Sequence, residues 1–110
     1  MRNNFAQEIE SLPRAAVPIP GARAFLSQAD SHQVLFMEFE EDAILPEHSH
    51  ESQWAVVVAG EIDLTIGGVN HTFRKGETYY IPGGTKHSGK IHAGYADVTF
   101  FNQKDRYGTV

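Results

Sequence analysis

The chain has 110 residues and a mass of 12.2 kDa, the size of one domain, and such a domain can bury about two-thirds of its unfolded surface. It contains no cysteine, which excludes disulfides, cysteine-ligated zinc and thiol nucleophiles. Nine basic residues against fourteen acidic ones give a formal charge of −5. That balance argues against sequence-independent nucleic-acid binding, which runs on phosphate neutralisation, and fits a protein that faces small molecules.

The N-terminus has no apolar signal-type core, and no apolar run reaches the ~20 residues of a membrane span. The expectation is a cytoplasmic chain with neither a membrane nor a nucleic acid as partner. Residues 1–20 read as an arm in which 6–12 can hold one or two helical turns, and Pro13, Pro18 and Pro20 stop any helix. Residues 21–110 read as a single β domain. Strands are expected over 22–28, 32–40, 52–59, 61–66, 69–74, 77–81, 86–92 and 95–102, where β-branched and aromatic residues concentrate. Ala29-Asp30-Ser31 and Gly67-Gly68 are hairpin signals, and the last eight residues read as a polar tail. Short strands at roughly ten-residue spacing, with turn signals between them and no helix of ordinary length, predict an all-β sandwich or barrel.

Six histidines stand out in this acidic chain. Two form His48-Ser49-His50; residues two apart on a strand point to one side, so both imidazoles can face one point, as metal ligands must. A third, His87, closes Gly76-x5-Pro82-x-Gly84-x2-His87, in which a Pro-Gly turn delivers the imidazole to the start of a strand. His32 and His71 read as surface residues.

Read together, these stretches resemble the two motifs of the cupin superfamily, over about 35–102. The second motif, Gly-x5-Pro-x-Gly-x2-His-x3-Asn, is matched through His87, with Ile91 in place of the asparagine. In the first, Gly-x5-His-x-His-x(3,4)-Glu-x6-Gly, His48 and His50 match, Asp42 stands where glycine is expected, and Gln53-x6-Gly60 occupies the place of Glu-x6-Gly. The resemblance implies a jelly-roll-like β-barrel with a short N-terminal arm and one divalent transition metal ion held by His48, His50, Gln53 and His87. Two residues separate His50 from Gln53, one fewer than usual, so the chain must bulge or loop there; otherwise Ser52 or Trp54 faces inward instead. A neutral ligand set leaves the ion its full charge and favours Fe, Ni, Cu or Zn over Mn, as a stronger Lewis acid toward anionic substrates.

The aromatic pairs Tyr79-Tyr80 and Phe100-Phe101 each place one member inward. Tyr80 and Phe101 are assigned to the ligand pocket, with His92 as a proton carrier at its mouth. The sequence is similar to a glutamine-bearing small-cupin group that includes enzymes opening the ring of unsaturated uronates. Of that group's Asp-x-Phe-x-Pro-x-Arg signature only Phe101 matches, and no catalytic base is assignable. The leading expectation is a metal-dependent enzyme of oxygenase, isomerase or lyase type acting on a small polar or acidic molecule. Its rival is a non-catalytic barrel that binds or senses a sugar or small acid. A homodimer is expected, with the arm free to add a strand to a neighbour's sheet edge.

Overall fold

A computed structural model describes residues 4–110; the first three residues of the expected arm lie outside them. One helical turn, α1 (Gln7–Glu10), precedes nine strands: β1 (Ala22–Gln28), β2 (Gln33–Phe39), β3 (Ala43–His48), β4 (Gln53–Ala59), β5 (Glu61–Ile66), β6 (Val69–Arg74), β7 (Thr78–Ile81), β8 (His87–Ile91) and β9 (Ala96–Phe101). They form two antiparallel sheets, ordered β1-β2-β9-β4-β7 and β3-β8-β5-β6. Leu35, Met37, Ala55 and Val57 from the first sheet meet Ile62, Leu64 and Ile91 from the second in a shared core. The all-β barrel expected from the spacing of turn signals is the fold observed.

β3 is the strand that the residue pattern hides. It contains Pro46, which cannot donate to a ladder, and its exposure alternates only weakly. Its place at the edge of the second sheet is one where proline is tolerated. A bulge between Leu45 and His48 then resets its pairing so that His48 lies opposite His87.

Both chain ends also depart from expectation. Part of the arm is tied to the chain's own first sheet. Arg14 bridges Phe25 on β1, so residues 13–15 cover the chain's own sheet edge. The C-terminal residues are not a free tail. Ala15 bridges Thr109, Val110 N donates to Arg14 O at 2.9 Å, and the buried Gln33 amide donates to Tyr107 O (2.8 Å) while accepting from Tyr107 N (3.1 Å). These bonds fold residues 103–107 back across one end of the barrel.

Candidate metal centre

Three elements bring the histidines together. His48 ends β3, His50 lies in the loop that follows, and His87 opens β8. Their ligating atoms all lie within 4.8 Å of one another. Each ring is oriented by a carbonyl that can only accept a hydrogen bond. His48 Nδ1 donates to Pro46 O (2.8 Å), His50 Nδ1 to Glu51 O (2.7 Å) and His87 Nδ1 to Thr85 O (2.9 Å). With every Nδ1 carrying the proton, every neutral ring presents its Nε2 lone pair. His50 Nε2 lies 3.1 Å from His87 Nε2. Two lone pairs at that distance repel unless a cation sits beside both, so the donor set fits a metal ion, with the backbone carbonyls as the outer partners that fix such ligands.

Burial disfavours the charged form of the His50 and His87 rings. It lowers His50 to about 4, and the nearby Arg106 guanidinium and the other imidazoles add to the shift. His87 is lowered for the same leading reason. The His50 ring packs edge-on against Phe101, with centroids 5.3 Å apart.

The shortened spacing between His50 and Gln53 is absorbed by an irregular loop over 49–52, tied down where Gly84 N donates to His50 O and Asn102 N to Ser52 O, both at 2.9 Å. β4 therefore starts with Gln53 inward, 9% exposed, and Trp54 outward, 44% exposed. Gln53 Nε2 donates to Thr99 Oγ1 (3.0 Å), which leaves the oxygen as the end of the amide free for other partners.

A cavity of about 820 Å³ opens from the histidines into the barrel interior, lined by Gln53, Tyr79, Ile81, Tyr95 and Asp97 among others, a size that suits a small molecule. Three pocket assignments need correction, since none of the three residues lines the cavity. Tyr80 points outward, 57% exposed, because β7 pairs Ile81 with Gln53 and Tyr79 with Ala55, so the inward member is Tyr79. His92 lies outside the cavity, just past β8, and donates from Nε2 to Asp63 Oδ2 (2.7 Å) on the outer face. Phe101 is buried behind the His50 ring.

Arg106, Gln103 and Tyr107 also line the cavity, although the sequence reads them as tail. The Arg106 guanidinium stacks over the Tyr107 ring at 4.5 Å. Its Nε and Gln103 Oε1 are buried without a partner among the described residues. Only the fold-back of the C-terminus brings them there, and no local pattern announces it. A second cluster, Glu61, Asp63 and His92, is already engaged in pairing: Glu61 with Arg74 at 3.9 Å and Asp63 with His92.

A two-sheet β-barrel with three histidines converging near one end of its interior defines the class. The family model described as "Cupin domain" matches residues 35–102, and the chain belongs to the cupin family. Among solved structures, it is similar to an RmlC-like cupin from Shewanella frigidimarina (19% identity, covering 93% of this chain and 89% of that one, TM-score 0.74). It is also similar to KdgF from Halomonas sp. (19% identity, 83% and 87% covered, TM-score 0.69). A Bacillus subtilis oxalate decarboxylase is matched at 21% identity and TM-score 0.66, over 87% of this chain but 28% of that longer one. No curated protein sequence matches significantly. Among the described residues no helix is long and apolar enough to cross a membrane.

Proposed function

We propose that the protein is a metal-dependent enzyme acting on a small organic acid, with one divalent ion of Fe, Ni, Cu or Zn bound by His48, His50 and His87 through Nε2 and by Gln53 through Oε1. The convergence of three Nε2 lone pairs, each fixed by its own Nδ1–H···O=C bond, carries this reading. The bound ion would supply Lewis acidity to oxygen atoms of the substrate. Arg106 lines the same cavity and carries a buried N–H with no partner among the described residues, the fit for a substrate carboxylate. Gln103 Oε1 is placed to accept from a neighbouring hydroxyl. Acting on a small acid accords with the oxalate decarboxylase among the neighbours.

A homodimer is part of the proposal. Val34, Phe100, Trp54 and Tyr80 stand side by side across β2, β9, β4 and β7, and His32 stacks on Phe100 at 4.8 Å. This row forms an aromatic stripe on the outer face of the first sheet, with Trp54 and Tyr80 exposed, as an interface core requires.

The test loads the purified protein with each metal in turn and screens small hydroxy, keto and dicarboxylic acids and uronates. Turnover that needs the metal is expected, and Arg106→Ala should raise KM roughly tenfold or more with metal content unchanged. Stoichiometric metal with no turnover on any acid contradicts the enzyme reading, and saturable binding without product assigns the site to capture or sensing.

A further inference from the structure

The inner row of β9 runs from the metal centre into the barrel. Phe101 packs on His50 and Thr99 holds Gln53. Two residues further along, Asp97 stands opposite Met37 and Val57, 3% exposed. Two phenols converge on one oxygen of its carboxylate: the Tyr95 hydroxyl and the Tyr79 hydroxyl (3.4 Å) both donate to Oδ2. The two hydroxyls lie 3.2 Å from each other. Oδ1 is buried and has no partner among the described residues. Asp97, Tyr79 and Tyr95 all line the cavity.

A buried carboxylate oxygen left without a donor loses the hydrogen bonds it had in water and gains none in return. Neither phenol can relieve it without giving up Oδ2. Burial pushes both phenols well above their ordinary value, so they remain donors at any physiological pH. Once ionised, above its raised value, Asp97 thus keeps one acceptor oxygen without a donor among the described residues, on a side chain that lines the cavity.

We infer that Asp97 Oδ1 is a docking point for a hydrogen-bond donor, a hydroxyl or an ammonium group, carried on a small molecule whose apolar body lies against Met37, Ile62 and Ile91. Four residues of β9 separate Asp97 from Phe101, about 13 Å at ~3.3 Å per residue. A ligand held at both ends would then be an elongated acid, with its carboxylate at Arg106 and the metal and its donor group at Asp97. That last step rests on the function proposed above; the docking point itself does not.

The test uses probes without a carboxylate, so that its outcome is independent of the metal centre. Cyclohexylamine, cyclohexanol and cyclohexanone share a ring and differ in the group they offer. They are titrated at pH 8.5, with binding followed by amide chemical shifts. Amine and alcohol should bind roughly tenfold or more tightly than ketone, with shifts at Asp97, Tyr95 and Met37. Asp97→Asn keeps an oxygen for the phenols and turns an N–H₂ donor to the cavity, so its preference should reverse toward the ketone. Equal affinities for the three probes in the wild-type protein, no binding up to their solubility, or an unchanged order in Asp97→Asn would overturn the inference. The wild-type comparison decides the matter even if the variant does not fold.

Discussion

Each histidine of the metal centre is aimed by a carbonyl close in sequence: Pro46, Glu51 and Thr85. This is why the site is legible in the sequence. Its ligands sit in short stretches that carry their own orienting partners, and the motif spacing captures both. Asp97, Arg106 and Tyr79 carry no such mark. Asp97 looks like any acid in a strand until Tyr79 and Tyr95 are brought to it from β7 and the loop before β9. Its environment makes a prediction. Burial raises the carboxyl to about 7 in the folded chain, above its ordinary value near 3.8. The folded state therefore holds the proton more tightly than the unfolded state between these values. The stability this provides is full below pH 3.8 and is lost as pH rises through 7. Asp97→Asn removes the dependence, so its melting temperature relative to wild type should climb from pH 4 to pH 7 and then level off. A difference that stays flat over that range would contradict the assigned environment. His50 and His87 act with the opposite sign in both proteins: their lowered values favour the neutral rings, and that stability is lost as pH falls below 6.5. Both histidines are present in wild type and variant, so the comparison isolates Asp97.

β5, with its clean alternation, and β1 and β6, each beside a hairpin signal, lie where the sequence places them. β3 does not show in the pattern because edge position and a proline remove the two signals that a strand usually gives. The C-terminal segment is unreadable for a different reason: its polar residues are satisfied by distant partners, as with Gln33 and Tyr107. Glycine at position 89 is explained by packing. β8 crosses so close to β5 that a side chain there would overlap the Asp63 carbonyl and come within 2.8 Å of Leu64 Cδ2. Gly89→Ala should therefore destabilise by on the order of 3 kcal/mol, the range of an overpacked core, and lower the melting temperature by about 10 °C. A loss below about 2 °C would show that the two strands separate freely. Gly60 is constrained on two counts, with φ of +69° and a hypothetical Cβ 2.8 Å from Tyr95 Cα. This accounts for the register mark from which Gln53 is counted.

The two sheets enclose a cavity with the histidines and Arg106 in one region and Asp97 deeper along β9, while the first sheet turns an aromatic stripe outward. If that stripe is a dimer interface, light scattering at tens of micromolar should give twice the monomer mass. Trp54→Arg with Tyr80→Arg should give the monomer without changing metal content, since neither side chain reaches the cavity. Because Trp54 is the single tryptophan, its emission should shift to the red on dilution. A wild-type monomer at that concentration would contradict the interface. The most direct test of the account is metal analysis of the loaded, desalted protein beside His48→Ala/His87→Ala. The account predicts about one divalent ion per wild-type chain and less than about a tenth of an equivalent in the variant. Equal metal in the two proteins, or none in either, would contradict it.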